Sequence, residues 1–440
     1  MLVREVAVPG HLSHAHLYFD YWHLIMRILL LQDTYPPLAG GGSAIIAKSV
    51  AQALHAAGAE VVVMCIVHDR AEAGGVIEDG IAVERVFAPR YHHRWRAYRS
   101  LYNPLPLAAL REILQHVKPD VVNAHNIHSY ISYAALRIAH MCGARVYLTA
   151  HDVQMFNYGK LTHFINPAET AVPEKFDYRI SALDQLREQR YRYNPLRNLA
   201  ITYLVEKYVK KVIAVSDALR DALTQNGSTK VTTIRNGIDA SLWQVSADKV
   251  YTWKSERGIG DSAIVFSGRL SGLKGAVPMM EALKLVVDKV PDAQLLVVGS
   301  RDAYAEKMLE HARELGVEKM MVFTGWVSGD DLHTAYHAGA VVAVPSVCFD
   351  SFPTINLEAF ACGKPVVATC FGGSRELVQD GVSGYIVNPF NREMLAERII
   401  ELLRHPDKAR AFGAVGRARV ENEFTLERQA TEYLTVFSNK

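Results

Sequence analysis

Two acidic residues near the C-terminal end of the chain stand eight positions apart, in an apolar setting. Asp350 and Glu358 frame the start of the run 354–362 (TINLEAFAC), whose largely apolar pattern predicts a short buried helix. Glu358 is the only charged residue in that run, and burial of a carboxylate is costly unless it has hydrogen-bond partners. The hydroxyl groups of a ribose would serve as such partners. Glu358 therefore predicts a contact to a ribose.

A glycine-rich loop follows the predicted helix. The β-branched run 366–369 predicts a strand, and it leads directly into Gly372, Gly373 and Ser374. Ser374 is expected to cap the next helix, and bare glycine N–H groups at a helix start suit a diphosphate. Taken alone, the loop is equally well read as an ordinary strand–turn–helix. The ordered set of acids, strand and loop favours a nucleotide-sugar pocket.

Two cations lie near the end of an earlier predicted strand, residues 263–267. Arg269 and Lys274 stand beside glycines and could neutralise a diphosphate leaving group, much as a metal ion would. Surface ion pairing is the alternative for either residue alone. No Asp-x-Asp motif follows a predicted strand, so we expect no requirement for a divalent metal.

The first half of the chain holds two further candidates. His151 ends the predicted strand 145–150, where it could donate to a sugar hydroxyl or orient an acceptor; a structural histidine is the alternative. The loop 37–43 contains Gly41 and Gly42, which allow close backbone approach, and Ser43 is expected to cap the following helix. This loop suits an anion, or else is a tight packing turn.

Strands and helices alternate throughout, which predicts parallel sheets covered on both faces. The expected strands are residues 27–32, 60–67, 83–87, 121–124, 145–150, 211–215, 231–234, 263–267, 294–298, 321–324, 341–344, 366–368 and 384–387. The expected helices include residues 43–57, 107–116, 129–141 and most of 395–437. We predict two Rossmann-like, doubly wound α/β domains that face a central cleft at the carboxyl ends of their strands.

Domain limits follow from changes in composition. Residues 1–25 are a candidate N-terminal extension or the product of a start codon placed too early, 26–245 a first domain and 246–440 a second domain, with the join near 239–261. Residues 160–196, named the insertion below, are polar, aromatic and irregular. We interpret the insertion as a lid or an acceptor-binding segment, with a surface excursion as the alternative.

Composition excludes several functions. The net charge of +2 gives no case for nucleic-acid binding, and the chain has neither Gly-x-Gly-x-x-Gly nor a Walker A motif.

Five scattered cysteines predict a reducing cytoplasm, with Cys142 the one expected to be exposed. No apolar run approaches the about 20 residues that span a bilayer. The basic aromatic run 90–99 is read as a solvated face, with contact to anionic lipid headgroups at the inner membrane face as the alternative.

The run 344–389 resembles the donor site of retaining glycosyltransferases of family 4, which have the GT-B fold. The family usually carries Glu, seven residues, Glu; here the first acid is Asp350, one methylene shorter. The resemblance extends from about Met26 to the end of the chain, and it implies that the last helix crosses back to the first domain, where Tyr433 and Phe437 would pack.

The resemblance also implies roles for individual residues. The catalytic residues would be His151, Arg269, Lys274 and Asp350. The donor-binding residues would be Gly41, Gly42, Arg269, Lys274, Val327, Asp350, Glu358, Gly372, Gly373 and Ser374, with no metal ligand. Trp326, beside Val327, is expected to be a core residue, with stacking on the base as the alternative, and residues 236–239 (NGID) are expected to form a turn at the cleft edge.

The implied activity is transfer of a sugar from a nucleoside diphosphate sugar to an acceptor hydroxyl, with retention of anomeric configuration. No cofactor is expected; UDP is the expected nucleotide, and the acceptor is a saccharide or a lipid-linked saccharide, as in polysaccharide or glycoconjugate biosynthesis. The alternatives are a nucleotide-sugar epimerase, an α-glucan phosphorylase with pyridoxal phosphate, and a non-catalytic nucleotide-sugar-binding subunit.

Overall fold

A computed structural model describes residues 25–38, 41–268 and 272–439. The strands are β1 (Arg27–Leu31), β2 (Glu60–Val67), β3 (Gly74–Glu78), β4 (Ile81–Phe87), β5 (Val121–Ala124), β6 (Arg145–Ala150), β7 (Lys211–Ala214), β8 (Val231–Thr233), β9 (Ala263–Ser267), β10 (Gln294–Val298), β11 (Met321–Gly325), β12 (Val341–Val344), β13 (Val366–Thr369) and β14 (Gly384–Val387). The helices are α1 (Gly42–Ala56), α2 (Arg96–Arg99), α3 (Pro104–Val117), α4 (Ala134–Met141), α5 (Ala182–Gln189), α6 (Pro195–Tyr208), α7 (Asp217–Gln225), α8 (Ala247–Arg257), α9 (Ala276–Val287), α10 (Ala303–Glu314), α11 (Gly329–Ala338), α12 (Thr354–Ala361), α13 (Ser374–Leu377), α14 (Arg392–Arg404), α15 (Pro406–Glu423) and α16 (Leu426–Ser438).

The first sheet has the strand order β3-β4-β2-β1-β5-β6-β7-β8, and its strands are parallel except for β3. Strand β3 was not predicted from the sequence. It pairs antiparallel with β4 through Asp79 and Gly80, which have left-handed φ angles of 49° and 80°. An Asp-Gly pair with this backbone is a typical two-residue hairpin turn, so the signal for β3 was present in the sequence.

The second sheet has the order β11-β10-β9-β12-β13-β14, and each strand is parallel to its neighbours. Except for the edge strand β11, which is partly exposed, its strands are largely buried apolar runs, as expected for a sheet that helices cover on both faces. The strand order reverses between β9 and β12, and in the first sheet between β1 and β5. Ligands of open α/β sheets bind outside the carboxyl ends of the strands at such points. The predicted pair of doubly wound α/β sheets is confirmed.

The chain passes between the two sheets along two segments that lie side by side. The N–H of Ile238 donates to the carbonyl oxygen of Phe424 at 2.9 Å. A Cβ on Gly237 would come within 2.5 Å of the carbonyl oxygen of Thr425, so this position accepts only glycine. Residues 236–239 form no turn, so that part of the prediction is wrong, and the glycine serves close packing of one crossing segment on the other. Gly237, Ile238 and Asp239 do line the cavity between the domains, as the predicted position at the cleft edge requires.

Helix α16 ends the described chain on the first sheet. Tyr433 and Phe437 are both fully buried there, and the Tyr147 hydroxyl donates to the carbonyl oxygen of Val436 at 3.1 Å. The rings of Tyr147 and Phe437 have centroids 4.8 Å apart. The C-terminal segment thus contributes directly to the core of the N-terminal sheet.

The insertion connects the two domains on the cleft side. Its first part has no helix or strand before α5. The Phe349 N–H donates to the carbonyl oxygen of Leu161 at 2.9 Å, and the Asn388 amide donates to the carbonyl oxygens of Glu169 and Ala171, each at 2.8 Å. The backbone of this irregular segment is therefore bound by groups of the second domain.

An aromatic cluster reinforces this contact. The Phe164 ring meets Phe176 and Tyr178 of the insertion with centroid distances of 5.3 and 5.0 Å. It meets Phe349 and Phe371 of the second domain at 6.3 and 6.0 Å. Edge-to-face geometry at these distances is favourable beyond the burial of apolar area.

The cysteines differ in exposure. Cys142 is exposed and the other four cysteines are buried, as predicted.

Among the described residues, no helix combines the length and the apolar character that crossing a membrane requires.

Candidate active site in the interdomain cleft

The second domain brings Lys274 and Asp350 together at the point where its strand order reverses. Lys274 ends a one-turn 3-10 helix that follows β9, and Asp350 follows β12, the neighbouring strand. The Lys274 Nζ lies 2.8 Å from the Asp350 Oδ2, to which the Ser346 hydroxyl also donates at 3.3 Å. Two residues that the sequence analysis assigned to the donor thus form one ion pair.

Both members of this pair are charged. Burial would raise the pKa of Asp350, but Lys274 and then Lys160 outweigh it, so the pKa is lowered. Asp350 in turn raises the pKa of Lys274 against the effect of burial. An ammonium group has three N–H donors, and the hydrogen bond to Asp350 occupies one of them. The others can donate to an anion in the cleft.

Glu358 lies on α12 and has a partner that the sequence did not reveal. The hydroxyl of Tyr336, on α11, donates to the Glu358 Oε2 at 2.5 Å, and Tyr336 is fully buried. Burial raises the pKa of Glu358, while the hydrogen bonds from Tyr336 and Thr354 oppose the rise. One carboxylate oxygen is thereby fixed, which orients the second for a ligand hydroxyl.

The glycine loop of the second domain differs from its prediction. The Gly373 N–H donates to the carbonyl oxygen of Asp350 at 2.9 Å, so it is not available to a diphosphate. A Cβ on Gly372 would lie 2.1 Å from the Asp350 carbonyl oxygen, and one on Gly373 would lie 2.2 Å from that of Ser351. These glycines are required by close packing of the loop on the chain around Asp350.

Neither serine predicted as a helix cap fills that role. Ser374 is the first residue of α13, a helix of four residues capped by Gly373, and its hydroxyl is buried with no partner among the described residues. Ser43 lies inside α1, whose cap is Gly41, and its hydroxyl accepts a hydrogen bond from the Asn126 amide at 2.8 Å. In both loops a glycine takes the cap position.

Gly41 and Gly42 stand at the start of α1. Gly41 has a φ of 154°, and Cβ atoms placed on Gly41 and Gly42 would meet no described atom within 4 Å. Packing against the described residues therefore does not require glycine at these two positions. Gly42 lines an apolar cavity of about 530 Å³ that Glu358 also lines, so the loop and the donor helix α12 face each other across the cleft.

His151 follows β6 and begins a chain of hydrogen bonds that runs through the first domain. Its Nε2 lies 2.9 Å from the Nδ1 of His125, and the His125 Nε2 lies 3.0 Å from the Nδ2 of Asn123. The Thr149 hydroxyl donates to the Asn123 Oδ1 at 3.0 Å and lies 3.2 Å from the hydroxyl of Tyr433 on α16.

The hydrogen bonds of this series all run in one direction, from Asn123 toward His151. Asn123 donates through its amide nitrogen, so the His125 Nε2 is the acceptor and the His125 Nδ1–H donates to the His151 Nε2. Burial lowers the pKa of His151 to about 4, so the ring is neutral near pH 7. A neutral His151 that accepts at Nε2 carries its proton on Nδ1. It therefore presents an N–H donor, as the sequence analysis proposed for a sugar hydroxyl.

The remaining residues with a predicted position or role are Arg269, Val327 and Trp326. Arg269 lies outside the described residues, between Gly268 and Gly272. Val327 is partly buried, in the loop between β11 and α11, and packs on the core. Trp326 is 79% exposed, so the expectation of a core residue is wrong. A loop residue next to a strand end has no face that the sheet must bury.

Two Rossmann-like sheets with polar residues gathered at a cleft between them define a GT-B protein. Comparison with known proteins agrees. Residues 40–242 match the family model "Glycosyltransferase Family 4", and residues 251–419 match "Glycosyl transferases group 1". The chain belongs to the group 1 glycosyltransferases of family 4 and is a glycosyltransferase.

Other glycosyltransferases are similar to this chain in sequence or in structure. An uncharacterised glycosyltransferase of Methanocaldococcus jannaschii is 28% identical over 380 residues, which is 84% of this chain and 87% of that protein. A GDP-mannose-dependent α-(1-6)-phosphatidylinositol monomannoside mannosyltransferase of Mycolicibacterium smegmatis is 33% identical over 189 residues, 41% of this chain and 49% of that protein. HepE of Anabaena, solved in complex with UDP, has a TM-score of 0.68 at 20% identity, with 94% of this chain and 100% of that chain covered.

Proposed function

We propose that this glycosyltransferase transfers the sugar of a UDP-sugar to a hydroxyl of a saccharide or lipid-linked saccharide, releases UDP and retains the anomeric configuration. The observation that carries the proposal is the Lys274–Asp350 ion pair, which lies at the reversal point of the second sheet with Glu358 on the next helix. UDP is the nucleotide in the HepE complex, and the mannosyltransferase relative is named for a lipid-linked acceptor.

Lys274 would stabilise the departing diphosphate, together with Arg269. The charge that develops on a leaving phosphate oxygen needs donors already in place, and an ammonium held by Asp350 is in place before the substrate arrives. The free oxygen of Glu358 would accept from a ribose hydroxyl. Asp350, one methylene shorter than the usual glutamate, would contact the donor sugar from its second oxygen.

His151 would donate its Nδ1–H to a hydroxyl of the transferred sugar. A neutral ring with one N–H is a donor and not a strong base, so we do not assign it proton abstraction. The leaving phosphate oxygen would take the proton of the acceptor hydroxyl on the same face of the sugar. That arrangement produces retention with no metal ion and no cofactor.

Donor binding is the first test. Isothermal titration calorimetry with UDP, GDP, ADP and TDP should give binding for UDP, and Glu358→Ala should weaken it by about ten- to hundredfold, the cost of a hydrogen bond to a charged group. Binding of another nucleotide would refute the choice of UDP. Absence of binding by every nucleotide would contradict the donor site itself.

Turnover is the second test. Lys274→Ala should reduce kcat by about two to three orders of magnitude. Lys284→Ala, at an exposed lysine of α9 that pairs with Asp288 at 3.0 Å, is the matched control and should leave kcat unchanged. Proton NMR of the product gives its anomeric configuration, and activity in EDTA tests independence from metal. An inverted product would refute the retaining mechanism.

A further inference from the structure

A separate cavity of about 530 Å³ lies between the domains beside the Lys274–Asp350 pair. Its walls come from Arg96 of the first domain, from the insertion, and from Leu273, the residue before Lys274. The insertion contributes Lys160, Glu188, Arg190 and Arg192 to the lining. Four cations thus face one carboxylate across a space large enough for a small molecule.

Two of the cations of this cavity have no partner in the described protein. Within the ranges that the structure describes, neither the Lys160 ammonium nor the Arg190 guanidinium has a hydrogen bond or an ion pair. Like charges gathered at a low-dielectric wall repel one another and raise the local potential. An anion with more than one negative charge would relieve that repulsion.

The guanidinium of Arg96 is fixed in position by its contacts within the protein. Its guanidinium donates to the Gln154 Oε1 at 3.0 Å and stacks on the Tyr158 ring, with 5.3 Å between the guanidinium carbon and the ring centroid. The buried Arg197 stacks on the same ring at 5.2 Å. A guanidinium fixed in this way binds a phosphate with little further loss of side-chain freedom.

The cavity also reaches the reaction centre. Lys160 precedes Leu161, whose carbonyl oxygen accepts from the N–H of Phe349, the residue before Asp350, at 2.9 Å. Burial raises the pKa of Asp350 and of Asp152, and the charge of Lys160, after that of Lys274 at Asp350 and of His128 at Asp152, opposes the rise. A molecule in the cavity would extend toward the sugar that Asp350 and His151 hold.

We propose that the acceptor carries a phosphate group and that Arg96, Lys160 and Arg190 bind it in this cavity, which we name the phosphate cavity. The proposal rests on the proposed function, because it places an acceptor beside a donor site. A phosphate is favoured over a carboxylate because its second charge and third oxygen match three separate cations. The phosphate can belong to a soluble sugar phosphate or to a lipid.

The probe is inorganic phosphate, titrated calorimetrically into the protein saturated with UDP, which occupies the donor site. Wild type should bind it. Lys160→Gln and Arg190→Gln, both at exposed positions, should each weaken binding by about ten- to hundredfold, the range for a lost hydrogen bond to a charged group. Arg187→Gln removes the same charge from α5 outside the cavity lining, where its side chain is 71% exposed, and should bind as wild type does.

The outcomes separate this proposal from the one on which it rests. If UDP binds and phosphate does not, or if the three variants behave alike, the phosphate cavity is refuted and the donor site stands. If UDP itself fails to bind, the proposed function fails and this inference fails with it.

Two further arms identify the source of the phosphate once it binds. Glucose 6-phosphate, against glucose, probes a soluble acceptor. Vesicles of phosphatidylcholine with phosphatidic acid, against phosphatidylcholine alone, probe a lipid. Trp95 and Tyr98, which are 49% and 53% exposed beside Arg96, would contact such a membrane. Preference for either charged probe over its neutral partner, lost in Lys160→Gln, supports the proposal; no preference in either arm overturns it.

Discussion

The Tyr336–Glu358 hydrogen bond allows a prediction whose size depends on pH. The Tyr336→Phe variant removes one hydroxyl and leaves a fully buried ring in place. Glu358 then loses the donor that its Oε2 accepts at 2.5 Å. A hydrogen bond to a charged group contributes about 1.5–3 kcal/mol and a neutral one about 0.5–1.5 kcal/mol. The free energy of unfolding should therefore fall by about 2 kcal/mol when Glu358 is ionised and by about 1 kcal/mol when it is protonated.

The sign of the pH dependence follows from proton linkage. The folded pKa of Glu358 is raised above its ordinary 4.5, so the folded state holds a proton that the unfolded state releases as pH rises. The stability from this group is present below pH 4.5 and is lost as pH rises through the folded pKa. Loss of the Tyr336 hydroxyl raises that pKa further. The difference between variant and wild type must therefore grow with pH.

Urea unfolding at pH 4 and pH 8 measures both free energies. Tyr251→Phe, at a tyrosine that is 76% exposed, is the control and should change neither value. UDP binding by calorimetry at pH 8 should weaken in Tyr336→Phe, because Glu358 loses its orientation. An equal loss of stability at both pH values would refute the reasoning, since it would mean that the hydroxyl does not interact with a titrating carboxylate.

Three other changes test parts of the structure already described. Gly275→Ala places a Cβ 1.8 Å from a carbonyl oxygen at a φ of 82°, so it should destabilise the fold by about 3 kcal/mol in urea unfolding; unchanged stability would contradict the packing. Asn123→Asp replaces the amide donor with an acceptor, so the ring proton of His151 should move from Nδ1 to Nε2. Nitrogen-15 shifts would report that exchange, and unaltered shifts would refute the directed chain. Phe164→Ala removes the centre of the aromatic cluster and should speed tryptic cleavage at the exposed Lys175. An unchanged rate of cleavage would mean that the cluster does not hold the insertion in place.

Much of the fold could be predicted because strand burial is a local property. Runs such as residues 61–67 are apolar throughout, and a strand covered on both faces accommodates that pattern. The ends of those strands in turn located Lys274, Asp350 and His151 at the cleft. The family resemblance gave these positions their roles, which remain predictions.

The features that could not be predicted are contacts between residues far apart in the sequence, which no local pattern indicates. Tyr336 and Glu358 are 22 positions apart, and their hydrogen bond depends on how α11 packs against α12. The directed chain from Tyr433 to His151 spans the sheet and the last helix. Trp326 was misplaced because its side chain is apolar, whereas the loop that carries it is exposed.

The two crossing segments and the insertion hold the domains on different sides of the cleft. The segments around Ile238 and Phe424 are bonded to each other, so we expect the domains to rotate about one axis through them. Rotation that opens the cleft must separate Phe164 from Phe349 and Phe371. Lys160 begins that same insertion, so an acceptor that binds Lys160 favours the closed arrangement. A donor that also favours the closed arrangement then raises the affinity for the acceptor by the same factor by which the acceptor raises the affinity for the donor, and the two substrates bind cooperatively.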